Sequence, residues 1–338
     1  MLSFLCVSLT TMTKAFFAAL LLLSIDTRAQ DELVTKIAVL GCHNQGQPAP
    51  AIPYFSEKLQ PDYSIWIGDN VYADTETDPQ HIQRQLVVLE NKDGFKELRE
   101  NSKFLVTWDD HDFGLNDAGK TYVFKEESKQ IHRKFWQLEA KIPSGQDGIY
   151  YAQMEKQPNG KTIQFIMLDG RFNRDDPGPN ADALGENQWK FLEAELKKPA
   201  DLRFILCGYQ VLLKKPTRWE AWIKLGKSRE RLFNLIKSTK AENIVFVTGD
   251  QHYVEVLYSP SNVDYKTFEI MAAGINKNEV PGIATNRAMK ADKTIHSAPL
   301  IEVHWTSDPF IHFKNYDVEN DRVNSEFQFK LSEVGWKE

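Results

Sequence analysis

The sequence predicts an α/β protein that is built as one layered domain. Short runs of apolar and β-branched residues alternate with longer segments of helical periodicity, which is typical of strands that are connected by helices. The last three strand-like runs have no helical segment between them, and this pattern predicts an antiparallel meander. The 338 residues contain no internal repeat, low-complexity tract or long linker, so one domain is favoured over two.

Ten strand-like runs follow one another along the chain. They occupy residues 36–41, 63–69, 104–110, 162–169, 203–209, 243–250, 268–274, 300–305, 310–317 and 325–331. Segments with apolar residues at helical spacing occupy residues 81–101, 125–142, 184–198 and 228–240.

Polar clusters follow five of the strand-like runs. Because ligand sites of α/β sheets lie beyond the carboxyl ends of the strands, these clusters are expected to converge on one crevice. They contain Cys42, Asp69, Asp109 to Asp112, Asp169 to Arg171, and Asp250 to His252.

Residues 1–30 predict a signal peptide. Lys14 precedes the apolar run AFFAALLLLSI, and Ala29 supplies a small residue before an acidic segment. The apolar run is too short to span a bilayer, and a buried N-terminal helix is the alternative interpretation. Met12 is an alternative to Met1 as the residue at which translation starts. The mature chain, residues 31–338, is expected to be a soluble periplasmic or secreted domain without a transmembrane anchor.

Composition and charge narrow the class of protein further. Hydrophobic residues make up 42% of the chain and aromatic residues 12%, which predicts a substantial core. The net charge is −6 and no run of Lys and Arg stands out, so no stable nucleic-acid complex is expected. Cys6 would leave with the signal peptide. Cys42 and Cys207 are expected to be unpaired, with Cys42 functional and Cys207 a small buried residue.

The segment GDNVYAD follows the second run. Gly68 permits a tight turn, after which Asp69 projects from the strand end and Tyr72 follows three residues later. A carboxylate can bridge two cations, and a deprotonated phenol is a hard oxygen ligand that suits ferric iron. A turn in which Asp69 caps a helix and Tyr72 packs is the structural alternative.

The segment TWDDHDFGLNDAG carries four carboxylates, His111 and Asn116 between Asp109 and Asp117. Such a run repels itself unless cations or hydrogen bonds compensate the charge. Oxygen ligands suit hard cations, and His111 offers either a ligand or a proton donor. A solvated acidic loop would explain the charge, but it would not explain the preceding apolar strand.

Two shorter motifs complete the set. In VTGDQHY, Asp250 and His252 are spaced by one residue, as is common for ligands at a strand end, although a lone histidine is more often structural. In LDGR, Arg171 is suited either to a phosphoryl oxygen or to a salt bridge with Asp175 or Asp176.

The order of Cys42, GDNVYAD, TWDDHDFGLNDAG, LDGR, LGENQW and GDQH resembles the PhoD-like family of alkaline phosphatases and phosphodiesterases, within the calcineurin-like metallophosphoesterases. The resemblance covers about residues 36–300. GDNVY is also similar to the Gly-Asp-x-x-Tyr element of purple acid phosphatases, whose tyrosine binds ferric iron. The resemblance implies a four-layer α-β-β-α sandwich in which two mixed sheets face each other between helices.

The resemblance also implies a metal centre of ferric iron and calcium, with other divalent metals as alternatives. The ligands that it implies for iron are Cys42, Asp69, Tyr72 and His252. Those that it implies for the second metal or calcium are Asp110, Asn116 and Asp250, with Asp69 as the bridge.

Three residues are expected to act on the substrate. His111 occupies the position of the family's catalytic histidine, Arg171 is a second catalytic candidate, and both Arg171 and Asn70 are expected to bind the substrate. The sequence departs from the family pattern at Gly170, where threonine is usual, and at Gln251, where arginine is frequent.

The function implied is that of a secreted metal-dependent hydrolase of a small phosphoester or phospholipid, in which the metals activate the attacking water. One alternative is a phospholipase D-like, phosphotriester or sulfate ester hydrolase, with Trp219, Trp222 and Phe233 as an apolar wall. Another is a non-catalytic binding protein that metals brace. A thiol enzyme is disfavoured, because the neighbours Cys42 and His43 point to opposite faces of a strand.

Overall fold

Two mixed β-sheets form the framework of the chain in the computed structural model, which describes residues 33–216, 219–259 and 262–335. The predicted signal peptide, residues 1–30, lies outside the described residues. The strands are β1 (Val34–Leu40), β2 (Tyr63–Trp66), β3 (Lys103–Val106), β4 (Tyr151–Lys156), β5 (Thr162–Met167), β6 (Leu202–Cys207), β7 (Ile244–Thr248), β8 (Val254–Ser259), β9 (Thr267–Ala272), β10 (Arg287–Asp292), β11 (Ser297–His304), β12 (Phe310–Asp317) and β13 (Arg322–Lys330).

Helices lie between these strands. They are α1 (Ala51–Pro53), α2 (Gln80–Glu90), α3 (Phe95–Asn101), α4 (Asp110–Phe113), α5 (Lys125–Phe135), α6 (Glu186–Leu196) and α7 (Gly226–Thr239). A π-helical turn, Tyr54–Leu59, continues α1, and 3₁₀ turns occupy Trp222–Lys224 and Leu331–Glu333.

The first sheet has the strand order β13-β12-β11-β1-β2-β3. Strands β1, β2 and β3 are parallel, and β11, β12 and β13 form the predicted antiparallel meander. The second sheet has the order β10-β8-β9-β7-β6-β5-β4, with β5, β6, β7 and β9 parallel and β4 and β8 antiparallel to their neighbours. Both sheets are therefore mixed.

The main hydrophobic core lies between the two sheets. The ring of Tyr63 on β2 contacts that of Phe165 on β5, with 5.0 Å between centroids, and Phe268 on β9 stacks on Phe329 on β13 at 3.9 Å. Full burial of one such side chain stabilises the fold by roughly 1.5–3 kcal/mol. These contacts hold the sheets face to face.

Helices cover the outer faces of both sheets. Trp66 on β2 packs against Phe95 on α3 and against Trp136 after α5. Leu192 on α6 and Leu232 on α7 share a buried cluster with residues of β6 and β7. The predicted four-layer α-β-β-α arrangement is thus confirmed.

The predicted helical segment 81–101 is two helices rather than one. Gly94 separates α2 from α3 with a φ of +75°, in the left-handed region that favours glycine. A Cβ at this position would lie 2.5 Å from the Cα of Pro53, so the chain breaks the helix where it passes α1. Both Cys42 and Cys207 are buried and free, as predicted. Among the described residues, no helix has the length and apolarity needed to cross a bilayer.

His132 on α5 predicts a loss of stability in acid. Burial lowers the pKa of its imidazole from 6.5 to about 4, while Nε2 donates to the Asp112 carbonyl at 2.8 Å. The unfolded chain therefore binds the proton first as the pH falls, and stability is lost between about pH 6.5 and pH 4. The decrease in the free energy of unfolding is at most about 3 kcal/mol. The free energy of unfolding can be measured in urea at pH 6.5 and at pH 4 for the wild type and for His132→Gln. The decrease between the two pH values should be smaller in the variant. An equal loss in both proteins would contradict the prediction.

Candidate metal centre

The loops after β1 and β2 bring Cys42 and Asp69 together. The Cys42 amide donates to the carbonyl of Gly68 at 3.2 Å, and the His43 amide donates to that of Asp69 at 2.8 Å. This pairing places the Cys42 Sγ 3.7 Å from Asp69 Oδ2. His43 turns away to the carbonyl of Asn70, at 3.0 Å from Nδ1, so it does not pair with the thiol.

Tyr72 and His252 join the same cluster. The phenol oxygen of Tyr72 lies 3.2 Å from Asp69 Oδ2 and 2.8 Å from His252 Nε2. The three ligand atoms of Cys42, Asp69 and His252 lie within 4.8 Å of one another. Four side chains that are separated by up to 210 residues of sequence therefore converge at one point.

Backbone strain marks the same positions. Cys42, Asp69, Asp250 and His252 have φ values of 48°, 49°, 74° and 57°, in the left-handed region that non-glycine residues seldom adopt. Each such residue costs on the order of 1–3 kcal/mol, and such strain persists where the surrounding structure holds side chains in a functional geometry. Four candidate ligands thus sit at strained positions.

The loop after β3 supplies a second group of carboxylates. Asp69, Asp110 and His111 form one candidate ligand group, and Asp110, Asp117 and Glu220 form another. Because Asp69 and Asp110 are shared, the three groups form a continuous row. The row opens into a pocket of about 220 Å³ that is lined by Asp69, Asp110, His111, Asn116, Asp117, Trp219, Glu220, Asp250 and His252.

The electrostatics of this row fit bound cations. Burial raises the pKa of Cys42, Asp69 and Tyr72 well above their usual values, and neighbouring acidic groups raise them further. Burial lowers the pKa of His252 to about 3. Asp69 Oδ1 and His252 Nδ1 are buried and have no hydrogen-bond partner among the described residues. A cation would satisfy these atoms and stabilise the ionised ligands.

His111 faces this pocket with a fixed orientation. Its Nδ1 lies 2.7 Å from Asp74 Oδ2, and its ring centroid lies 4.4 Å from that of Tyr72. Burial opposes its protonation, but the hydrogen bond to Asp74 and the charges of Asp69 and Asp110 raise the pKa of His111 to about 9. In the metal-free site these groups favour the protonated imidazole, and the contact with Asp74 fixes the orientation of the ring. Asp74, the last residue of GDNVYAD, was not among the site residues predicted from the sequence.

Asp112 has a structural role within the acidic segment. Its carboxylate accepts hydrogen bonds from the amides of Asp69, Asn70 and Asp109, at 3.2, 3.1 and 2.7 Å. It thereby ties the loop after β2 to the loop after β3. Asp169 has a comparable role after β5, because it accepts from the Trp108 indole at 2.7 Å and from the amides of Ile149 and Arg171 at 2.8 Å.

The expected contact of Arg171 with substrate needs correction. Arg171 is fully buried, and its guanidinium forms ion pairs with Asp109 and Glu220. The salt-bridge alternative is correct in kind, but its partners are Asp109 and Glu220 rather than Asp175 or Asp176, and Asp175 pairs with Lys120. Arg171 Nη2 lies 3.9 Å from Asp110 Oδ1, so the positive charge of Arg171 stabilises the ionised carboxylate of Asp110, which lines the pocket.

Asn70 is likewise removed from the pocket. It is fully buried, and its Nδ2 donates to the Thr107 carbonyl at 2.9 Å and to Asp112 at 2.6 Å. The expected contact with substrate is therefore replaced by a structural role. Of the aromatic wall suggested from the sequence, Trp219 lines the pocket, whereas Trp222 and Phe233 belong to the core beside α7.

Two residues that line the pocket, Glu220 and Asp117, were not predicted as site residues from the sequence. Glu220 lies in a loop between two tryptophans, and it forms ion pairs with both Arg171 and Arg174. Asp117 lies within the acidic segment, but nothing in the sequence separates it from its neighbours. Gln251 is buried, and its amide donates to Asp250 at 2.6 Å.

A sequence model of the PhoD-like phosphatases matches residues 37–327, which is most of the chain. The chain belongs to the PhoD-like phosphatase family. Alkaline phosphatase D of Bacillus subtilis (strain 168) is 26% identical over 186 residues, which are 44% of this chain and 31% of that relative. The chain thus matches less than a third of the length of this curated PhoD-like protein.

Solved structures share the fold. A structure of PhoD superposes with a TM-score of 0.71 at 16% identity, covering 89% of this chain and 71% of that one. The purple acid phosphatase PPD1 of yellow lupin (Lupinus luteus) gives a TM-score of 0.61 at 12% identity, over 88% of this chain and 54% of that one. GAP50, the anchor in the inner membrane complex of Plasmodium, gives 0.55 at 15% identity, over 88% and 89%.

Proposed function

We propose that the protein is a metal-dependent hydrolase of phosphoesters. The observation that carries this proposal is the row of ligand groups from Cys42 to Glu220, because it opens into one pocket that His111 also lines. Membership of the PhoD-like phosphatase family supports the same chemistry. The fold alone does not, since one protein that shares it is an anchor.

The residues fit two kinds of cation. We assign ferric iron to Cys42, Asp69, Tyr72 and His252, because a thiolate and a phenolate suit a transition metal better than they suit calcium. We assign calcium, or another divalent metal, to Asp69 with Asp110, Asn116 and Asp250, whose oxygen atoms suit a hard cation. When bound, the cations supply Lewis acidity, which lowers the pKa of the attacking water and neutralises charge on the phosphoryl oxygens.

The side chains of the protein would handle the proton and the geometry. We assign to His111 the proton that goes to the leaving oxygen, and the contact of its Nδ1 with Asp74 would fix the ring in orientation. Arg171 and Arg174 both form ion pairs with Glu220, and Arg171 forms a further ion pair with Asp109. These ion pairs would keep the two carboxylates in position. No side-chain nucleophile is required.

Asp74→Asn is expected to reduce kcat by about tenfold to a hundredfold, the usual cost of losing the partner that orients a functional histidine. Metal content should not change, because Asp74 belongs to none of the candidate ligand groups. Steady-state kinetics together with metal analysis test this prediction. Glu76→Gln, two residues further along the same loop, is the matched control. Unchanged kcat in Asp74→Asn would show that His111 needs no orientation.

The substrate is proposed to be a small phosphoester or a phospholipid. The protein would encounter it outside the cytoplasm, after residues 1–30 direct its export as a signal peptide. One observation favours an ester of an apolar alcohol. Trp219 belongs both to the pocket and to an adjoining groove that Pro216, Pro281 and the exposed Val280 and Ile283 line. Phospholipase D-like, phosphotriester or sulfate ester hydrolysis on the same site therefore remains the second candidate.

A substrate panel separates these candidates. Phosphate mono-, di- and triesters and a sulfate ester, each with a small and a long apolar alcohol, are assayed with the metal-loaded protein. The proposal expects turnover of a phosphate mono- or diester. Faster turnover of the long alcohol would favour the phospholipid, whereas preference for the triester or sulfate ester would favour the second candidate. Absence of turnover on every ester, with the metals bound, would favour a non-catalytic protein.

A further inference from the structure

A second cluster of metal-ligating side chains lies on the meander β11–β13. Glu302 and His304 are two residues apart on β11, so they share one face of the sheet. His312 on β12 pairs directly with Glu302 in the antiparallel register, and it therefore lies on that same face. One ligand atom from each of the three side chains lies within 4.8 Å of the others.

The cluster is far from the catalytic pocket. His304 pairs with Val34 at the start of β1, whereas Cys42 follows the end of that strand. Val34 and Leu40 are the two ends of β1, roughly 20 Å apart at 3.3 Å per residue, and Cys42 lies beyond Leu40. The cluster therefore cannot share an ion with the row that contains Asp69.

The side chains are held in place and partly shielded from solvent. Their exposed fractions are 10% for Glu302, 15% for His304 and 19% for His312. Nε2 of His304 lies 3.3 Å from Glu302 Oε2, and the ring of His304 stacks on that of Phe310 with 4.3 Å between centroids. Three hydrogen-bonded strands fix the backbones beneath, so little conformational freedom remains to be lost when an ion binds.

A further carboxylate, Glu326, lies beside this group on the third strand, and its side chain is 58% exposed. Glu326 on β13 places its Oε2 2.8 Å from the Nε2 of His312. The set thus consists of two imidazoles and two carboxylates, which suit a borderline ion such as Zn²⁺ better than Ca²⁺ or Mg²⁺. Tetrahedral zinc would hold its ligand atoms about 3.4 Å apart, and the ligand atoms of Glu302, His304 and His312 already lie within 4.8 Å of one another.

We propose that Glu302, His304, His312 and Glu326 form a second metal site, for Zn²⁺ or a similar transition-metal ion, which cross-links the three strands of the terminal meander. The ion would join β13, the edge strand of the first sheet, to β11, the strand that pairs with β1. The site stabilises the meander and takes no part in catalysis.

Lys314 gives the proposal its sharpest test. Its Nζ lies 2.8 Å from Glu302 Oε2, so its ammonium competes with a metal ion for this carboxylate. If the cluster is an ion-pair network that binds no metal, the positive charge of Lys314 is needed to balance the carboxylate of Glu302. A metal site would instead bind its ion more tightly once the competing charge is removed.

The experiment measures bound zinc and zinc affinity of the full-length protein by equilibrium dialysis and mass spectrometry. The catalytic pocket is common to all variants, so differences between them report the meander site. His304→Ala and His312→Ala should each lose one equivalent of zinc relative to the wild type. His296→Ala is the matched control, because His296 pairs only with Glu319, at 2.7 Å, among the described residues that could ligate a metal. This variant should keep the full equivalent.

Lys314→Met should bind the second zinc more tightly than the wild type. Zinc should also raise the Tm of the wild type by more than it raises the Tm of His312→Ala, which keeps only the pocket site. Equal zinc content in the wild type, His304→Ala and His312→Ala would overturn the proposal. Weaker zinc binding by Lys314→Met would overturn it as well. Neither result depends on phosphoesterase activity.

Discussion

Asp69→Asn is expected to abolish hydrolysis together with metal binding. Asp69 belongs to two of the three candidate ligand groups of the pocket, and its Oδ2 contacts both Cys42 and Tyr72. An amide has the same shape as a carboxylate but carries no charge, so it cannot neutralise a cation. Losing the several kcal/mol that a bound metal contributes corresponds to a fall in kcat/KM on the order of a thousandfold.

The measurement combines metal analysis with phosphoester turnover on one preparation. Asp93→Asn is the control, because Asp93 is an exposed aspartate in the turn between α2 and α3. The variant Asp69→Asn is expected to fold, since the substitution also relieves repulsion from Asp110. Metal content and turnover at the level of the wild type would show that Asp69 is not a ligand.

His111→Gln is expected to remove catalysis while leaving the metals bound. We propose that His111 donates the proton that the leaving oxygen needs, and the loss of such a donor typically costs about a hundredfold to ten-thousandfold in rate. The metal ligands that surround it remain, so iron content and the visible spectrum should match those of the wild type. The effect on kcat should shrink for esters whose leaving group needs no proton, such as activated aryl esters.

The matched control for this substitution is His81→Gln on α2, outside the pocket. A non-catalytic protein would show the same trivial rate with and without His111. Loss of metal from His111→Gln would instead identify His111 as a ligand, and the proton would then have to come from another group.

The ends of the strands were the predictable part of the site. Asp69, Asp110 and His252 follow apolar runs, and parallel strands deliver such residues to one edge of a sheet by geometry alone. The meander was predictable for a similar reason, because no helix separates β11, β12 and β13. Pattern and connectivity determine these features locally.

Partners at a distance were not predictable from local pattern. Glu220 reaches the pocket from an irregular loop, and only the fold reveals that Arg171 and Arg174 both pair with it. Asp112 and Asp110 are neighbours of the same type, yet one secures two loops and the other faces the cavity. Sequence spacing cannot distinguish the two, since their roles depend on which way each side chain turns.

Metal analysis of the purified protein, coupled to its visible absorption spectrum, tests the central claim most directly. Phenolate bound to ferric iron absorbs visible light by charge transfer, so the account predicts bound iron and a visible band in the active protein. Tyr72→Phe should retain the fold and lose this band. An active enzyme that is colourless and free of iron would contradict the assignment of Cys42, Asp69, Tyr72 and His252 as the iron site.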